Sequence, residues 1–365
     1  MKILLVAGAR PNFMKIAPLM WEIRKRGDIQ SFLVHTGQHY DQQMSQIFFE
    51  ELGIPQPDVD LGVGSGSHAV QTAEVIRKFE PVAAEYKPDA VVVVGDVNST
   101  LACAITAVKL GIAVAHVEAG LRSFDRTMPE EINRILTDSI SRWLFVSERS
   151  GMENLRREGV GDERVFFVGN VMIDTLLACR KRAEGSKVLQ TLDLEDGNYA
   201  VVTLHRPSNV DDAEALAKLL DALEDIGREM PVVFPVHPRS RKALNGRAIG
   251  SSPNLRLIDP LGYLDFVKLM SHSRVVFTDS GGIQEETTVM GIPCLTLRAN
   301  TERPATVAEG TNVLVGTDRD SIVRVFHETV SRPKAGRIPE RWDGLAAHRV
   351  IDVLESTINT PPTSW

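Results

Sequence analysis

Short runs of apolar, mostly β-branched residues alternate with longer stretches of helical periodicity along almost the whole chain. Lys2–Ala7 (KILLVA), residues 32–35, 90–95 (AVVVVG), 112–117 and 143–147 form a first series. A second series begins at residues 199–204 (YAVVTL) and continues through 232–236, Leu255–Ile258, Val275–Thr278 and 294–297. Runs this continuously apolar, separated by helices, predict parallel strands buried on both faces. The pattern therefore predicts an α/β protein of two doubly wound, Rossmann-like domains. Their boundary is expected within residues 168–196, where the charge-rich stretch 180–187 loses strand character. Residues 1–175 and 176–344 would form the two domains. The amphipathic segment 345–358, in a tail spanning 345–365, is expected as a terminal helix packing back across the junction.

Composition narrows the function classes. A chain of 365 residues suits two domains of about 150 residues each. The net charge is −7, which carries no electrostatic footprint for nucleic acid. Cys103, Cys179 and Cys294 are odd in number and far apart, which fits neither a disulfide framework nor a zinc site and suits a reducing cytoplasm. Met1-Lys2 runs straight into a strand, and the sequence holds no signal-like leader or apolar run of about 18 residues. A soluble, cytoplasmic protein that contacts neither membrane nor nucleic acid is expected.

In open parallel sheets ligands sit beyond the carboxyl ends of the strands. The polar residues there are Gly8–Arg10, Asp96 and Glu118 in the first half, and His205-Arg206, His237 and Asp279-Ser280 in the second. Two such edges predict a cleft between the domains that holds one ligand. The run AHVEAGLRSFDRTMPEEINR, residues 115–134, carries the strongest signal. An apolar strand ends in Glu118, Arg122 and Arg126 follow, and Pro129-Glu130-Glu131 opens a helix with Arg134 one turn on. Carboxylates interleaved with fixed cations suit proton transfer beside an anionic ligand. An ordinary role also stands for the helix start, where Glu130 and Glu131 complement the dipole and pair with Arg134. Asp96 either caps the next helix or, beside Glu118, works as a second acid or base.

Three further segments read as anion sites. Gly8 to Lys15 (GARPNFMK) forms a strand–turn–helix entry whose Arg10 and Lys15 add cations near a helix N-terminus, a phosphate or diphosphate clamp in outline. TDSGGIQEE, residues 278–286, puts Ser280, Gly281 and Gly282 at a second helix start, with Glu286 one turn in to accept bonds from ribose hydroxyls. Thr301-Glu302-Arg303-Pro304 follows downstream. No G-x-G-x-x-G follows either domain's first strand, so a bound dinucleotide cofactor is not supported. His205 is open between a structural and a functional role, His237 equally so, and His35, His39 and His116 carry no assigned role.

Together these segments resemble the non-hydrolysing UDP-N-acetylglucosamine 2-epimerase family. GARPNFMKIAPL, HTGQHYDQQMSQIFFEELGIP, VVGDVNSTL, AHVEAGLRSFDRTMPEEINR, TLHRPSN, TDSGGIQEE and TERP follow the family's order across nearly the whole chain. The resemblance implies the two-domain GT-B arrangement with an interdomain active site. It also implies reversible C2 inversion of UDP-GlcNAc to UDP-ManNAc, with no cofactor or metal, in polysaccharide biosynthesis. By motif, Arg10 and Lys15 contact the nucleotide sugar, and Asp96, Glu118 and Glu130 are the catalytic carboxylates. His205 supports the departing diphosphate, with His237 nearby, and Phe266 lies beside uracil. Ser280, Gly281 and Gly282 hold phosphates, Glu286 the ribose, and Arg303 completes the pocket.

The resemblance also implies a homodimer, so a UDP-sugar substrate and a second copy are the implied partners. Val97 and Pro207-Ser208 depart from the family's usual pattern, and activation by a second substrate molecule is therefore not expected. Competing readings are a C2 epimerase of a UDP-2,3-diacetamido uronic acid, a hydrolysing epimerase, and, in a different class, a GT-B glycosyltransferase.

Overall fold

The β-branched runs do pair side by side, and each sheet is parallel throughout. In the computed structural model, which describes residues 1–37, 42–236 and 254–360, the chain splits into two compact units. One comprises Met1–Ala178 with Glu340–Trp365, the other Cys179–Pro339.

The first unit holds seven strands: β1 (Lys2–Ala7), β2 (Gln30–His35), β3 (Val59–Asp60), β4 (Ala90–Val94), β5 (Ala113–Ala119), β6 (Trp143–Val146) and β7 (Val165–Phe167), in the order β3-β2-β1-β4-β5-β6-β7. The second holds β8 (Ala200–Thr203), β9 (Val232–Pro235), β10 (Leu255–Ile258), β11 (Val275–Thr278), β12 (Cys294–Thr296) and β13 (Asn312–Leu314), in the order β10-β9-β8-β11-β12-β13. Both orders reverse once, between β1 and β4 and between β8 and β11. Such a reversal opens a crevice at the carboxyl ends of the two strands.

Helices cover the sheets because the strands are apolar on both faces. In the first unit, Leu4, Val6, Val91 and Val93 pack with Val75 and Phe79 of the helix His68–Tyr86 and with Ala102 and Ala107 of the helix Asn98–Lys109. In the second, Val202, Phe234 and Phe277 pack with Leu219 and Leu223 of the helix Ala213–Gly227 and with Phe326 of the helix Arg319–Ser331. Each such valine, leucine or phenylalanine contributes about 1.5–3 kcal/mol on burial. The C-terminal helix Ala346–Thr357 belongs to the first unit. Leu345 offers no capping side chain, so Asp174 accepts the amides of Ala346 and Ala347 at 3.2 and 2.7 Å. Among the described residues no helix is long and apolar enough to cross a membrane.

Two departures from the sequence pattern matter. The strand expected at 112–117 runs on to Ala119, and Glu118 lies within it as a bulge. The register with β6 shifts between Val117 and Ala119, and Glu118 has φ 74°. The edge strands β3, β7 and β13 are two or three residues long, below the length at which an apolar run stands out.

Candidate active site

At the first crevice the turn after β1 opens the helix Arg10–Arg26. The two amides of the turn itself are occupied: those of Gly8 and Ala9 donate to Asn12 Oδ1 at 3.1 and 2.8 Å, and Asn12 Nδ2 donates to the Val94 carbonyl at 3.2 Å. One buried amide side chain closes the turn and stitches it to β4. Asn12 lies three positions past the helix cap, where a side chain can reach back to the entry amides; that spacing was the available sequence signal. Lys15, the next turn, is buried and forms an ion pair with Glu118. The backbone of Arg10 opens this helix, and its side chain lies outside the described residues.

A bulge re-aims a side chain, and here the re-aimed residue is Glu118, buried with its Lys15 partner. Gly95 fits between the strand ends: an added Cβ would lie 2.8 Å from Lys15 Nζ and 3.4 Å from Glu118 Oε2. Asp96 follows and stays one-quarter exposed. The residue at the cap of the next helix is Val97, which has no side-chain bond to offer, and Asp96 pairs with Arg134 Nη1. Asn133 Nδ2 donates to the Asp96 carbonyl at 2.9 Å, so two neighbours on the helix Pro129–Ile140 position it.

The adjacent glutamates of that helix separate cleanly. Glu131 is buried, pairs with Arg134 at 2.6 Å, and accepts the Ser123 and Phe124 amides at 3.0 and 2.9 Å. Burial opposes its ionisation, but these amides and Arg134 hold its carboxyl below the usual range. The ordinary structural role fits Glu131. Glu130 makes no ion pair or hydrogen bond among the described residues and is half-buried, which leaves its carboxylate open for chemistry. Asp96, Glu118 and Glu130 are thus carried by two adjacent strand ends and one helix that grips both the Asp96 backbone and its side chain.

At the second crevice Asp279 follows β11 and is fully buried. It accepts the amides of His205 at 3.1 Å and Arg206 at 3.0 Å, and the Asn209 side chain at 3.1 Å. His205 Nδ1 sits 2.8 Å from Asp279 Oδ1. Burial works against the Asp279 charge, but the His205 ring and the loop amides outweigh it and keep the carboxyl below its ordinary range. The ionised partner fixes the proton on Nδ1, so Nε2 is the free end of a ring whose side chain is 57% exposed. Asp279, noted in the sequence only as a strand-end polar residue, is what holds His205.

Beside it, the helix Gly281–Met290 begins with Gly281 and Gly282, whose amides have no carbonyl partner within their own helix. Ser280 stands at the cap without a side-chain bond. An added Cβ on Gly281 would lie 2.8 Å from Glu302 Oε1. Glu302 accepts Arg206 at 3.1 Å and Arg298 at 2.7 Å. Burial disfavours the Glu302 charge, yet Arg303, Arg206 and Arg298 together hold its carboxyl far below the usual range. Arg303 pairs with the buried Glu285 at 2.6 Å. The result is a cationic wall beside two helix-start amides, an arrangement suited to a diphosphate.

Glu286 is also buried. Desolvation pushes its carboxyl up to about 7, although the Tyr263 hydroxyl donates to Oε1 at 2.8 Å. Tyr263 was not found from the sequence, and nothing in its local pattern marks it. Phe266, on the helix Tyr263–Ser271, packs half-buried against the cluster of Leu269 and Val276. His237 and His39 lie outside the described residues.

Comparison with known proteins gives this geometry a context. Residues 21–355 match the sequence profile of the family described as UDP-N-acetylglucosamine 2-epimerase. A UDP-N-acetylglucosamine 2-epimerase of Methanococcus maripaludis is 42% identical over 97% of this chain and 98% of its own length. A UDP-2,3-diacetamido-2,3-dideoxy-D-glucuronate 2-epimerase of Pseudomonas aeruginosa is 44% identical over 97% of this chain and 99% of its own length. The crystal structure of Methanocaldococcus jannaschii UDP-GlcNAc 2-epimerase in complex with UDP-GlcNAc and UDP superposes with a TM-score of 0.92, at 39% identity, covering 98% of this chain and all of that one.

Proposed function

The chain belongs to the UDP-N-acetylglucosamine 2-epimerase family, and on that footing we propose that it interconverts UDP-GlcNAc and UDP-ManNAc by eliminating UDP and adding it back. It is an isomerase of a nucleotide sugar. The observation that carries the reading is the pair Asp96 and Glu118, held at neighbouring strand ends by the buried cations Arg134 and Lys15, in a chain that matches the family from residue 21 to 355.

The C2 hydrogen of the sugar is not α to a carbonyl, so direct deprotonation is too slow. When the C1–O bond to UDP breaks, positive charge develops at C1 and the C2–H becomes acidic. A carboxylate then takes the C2 proton, leaving 2-acetamidoglucal and UDP. A proton returned to C2 from the opposite face, with the UDP oxygen re-forming its bond to C1, gives the epimer. In our reading Asp96, Glu118 and Glu130 move the protons. Arg10 and Lys15 contact the sugar nucleotide. His205 Nε2, the Ser280 hydroxyl, the amides of Gly281 and Gly282, and Arg303 take up charge on the departing diphosphate. Glu286 binds the ribose and Phe266 the uracil.

The second reading is a C2 epimerase of UDP-2,3-diacetamido-2,3-dideoxy-glucuronate, favoured by the 44% identity to the Pseudomonas relative. We also read the chain as a homodimer. Ile105, Val108 and Leu110, at and just past the helix Asn98–Lys109, and Ile132 and Leu136 on the neighbouring helix Pro129–Ile140, leave more than a third of their surface exposed. A reducing cytoplasm and a role in polysaccharide assembly complete the proposal. The three buried cysteines, none in a disulfide, fit that compartment.

Proton NMR of the protein with UDP-GlcNAc in heavy water tests the reading. UDP-ManNAc with deuterium at C2 of both sugars is the expected result. An intact C2–H with persistent UDP-GlcNAc overturns it and makes the diacetamido uronate the next substrate; free UDP and ManNAc identify a hydrolase.

A further inference from the structure

His116 lies on β5, two residues before Glu118, and its side chain is fully buried. Its ring faces an acceptor at each nitrogen. Nε2 is 2.8 Å from the Gly95 carbonyl, which only accepts, and Nδ1 is 2.6 Å from Asp138 Oδ1. Asp138, on the helix Pro129–Ile140, is itself surrounded by donors: the Gly120 amide at 3.0 Å and Arg122 Nη2 at 2.7 Å reach its other oxygen. Burial opposes the Asp138 charge, but His116 and Arg122 hold the carboxyl below its ordinary range. An ionised Asp138 and a carbonyl both require a proton on the nitrogen they face. Arg122 reaches onward to the exposed Glu158 at 2.6 Å.

The bonds of this ring lead to the active carboxylates. Gly95 is the residue before Asp96, and its amide donates to the Val117 carbonyl, the residue before Glu118, at 3.1 Å. On its open side lies the Lys15–Glu118 pair. Asp138 belongs to the helix that has Glu130 in its first turn and carries Arg134. One ring therefore ties together the three backbone segments that present Asp96, Glu118 and Glu130.

We propose that His116 is a positioning residue held as a doubly protonated imidazolium, whose bonds to Gly95 and Asp138 fix the three carboxylates in register. The assignment of those carboxylates rests on the epimerase reading above. The protonation state does not.

The test uses the full chain with nitrogen-15 histidine. One of the nine rings is expected to carry protons on both nitrogens in mildly alkaline buffer, and to be lost in His116→Gln. Finding no ring with two nitrogen-bound protons there overturns the proposal. Asp138→Asn should convert the same ring to its neutral form, and serves if His116→Gln does not fold. In turnover, glutamine can still donate to Gly95 but brings no charge. His116→Gln is expected to lower kcat by about 10²-fold, the scale of a small misplacement of reacting groups, with KM for UDP-GlcNAc within about threefold. Wild-type kcat in that variant, or a loss matched by the fraction of protein unable to bind UDP, would overturn the positioning role. Wild-type protein inert toward UDP-GlcNAc would instead defeat the epimerase reading and leave the NMR result standing.

Discussion

In the first unit the amides that follow β1, those of Gly8 and Ala9, are closed by Asn12. In the second, the amides of Gly281 and Gly282 are left open at the start of their helix. Both turns stand where a parallel sheet reverses its strand order, so topology alone would make each an anion site. The side chains decide otherwise. Around Asn12 the polar groups are carboxylates paired with buried cations, Glu118 with Lys15 and Asp96 with Arg134. Around Gly281 they are guanidiniums steadied by buried carboxylates, Arg206 and Arg298 by Glu302 and Arg303 by Glu285. In the function proposed above, the first crevice moves protons and the second holds a diphosphate. The same fold supplies both because the crevice is a position, and its chemistry is set by what fills it.

The sharpest separation should come from Glu118→Gln. It keeps the shape and most contacts of the bulge but removes the charge that pairs with Lys15. Turnover is expected to fall by about 10²–10⁴-fold, the usual scale for a general acid or base. UDP affinity, measured by calorimetric titration, should stay within about threefold if the second crevice alone holds the nucleotide. A parallel loss of UDP binding would break the division between the two sites.

Asn12→Leu attacks the closure itself. It strands the buried Gly8 and Ala9 amides, at a cost of about 1–3 kcal/mol for each group left unsatisfied, while the Val94 carbonyl keeps the Thr100 hydroxyl at 3.0 Å. Because the two amides share one side chain, a total loss of about 2–4 kcal/mol in urea unfolding is expected. A loss under about 0.5 kcal/mol would mean that water closes the turn as well as Asn12 does.

The fold was legible because strands buried on both faces are written as unbroken apolar runs, such as AVVVV in β4 and VVFT in β11. The carboxylates were legible for a related reason: a charge at the end of such a run is costly unless it is used or paired. What the sequence did not reveal is pairing over distance. Lys15 meets Glu118 across 103 positions, Asp279 meets His205 across 74, and His116 meets Asp138 across 22. No local periodicity carries those separations. The bulge at Glu118 was hidden too, since a positive φ at a glutamate contradicts the residue's own preference and is imposed by its neighbours.

Glu286 gives the comparison a pH axis. Its carboxyl sits near 7 in the folded chain against an ordinary value of 4.5, chiefly through desolvation. The folded state then binds the proton more tightly than the unfolded state, so stability falls as pH rises from about 4.5 through about 7 and levels off above. Glu286→Gln removes the titration. The variant should be more stable than wild type at pH 8, by about 2 kcal/mol in urea unfolding, with the gap closing below pH 5. A constant gap across that range would show that Glu286 is not the titrating group. Uridine nucleotide affinity should rise with pH through 7 in wild type only, as the ionised carboxylate becomes the better acceptor for ribose hydroxyls.

The smallest effect should come from a single methyl group at each turn. A Cβ on Gly8 would lie 2.8 Å from Ser99 Cβ and 3.0 Å from Val97 Cγ2, against the helix Asn98–Lys109. A Cβ on Gly281 would lie 2.8 Å from Glu302 Oε1, the end of a side chain that two arginines hold in place. Each clash costs about 1–2 kcal/mol, in the range for overpacking a filled site, but the two should be read out differently. Gly8→Ala presses on the packed Ser99 and Val97 side chains and should appear as lost stability, with UDP affinity unchanged. Gly281→Ala pushes Glu302 away from Arg206 and disturbs the cationic wall, so it should weaken UDP binding by about tenfold and leave the urea midpoint of the first unit alone. If both variants lost only stability, the second turn would be as closed as the first, and the contrast between the two crevices would rest on the carboxylates alone.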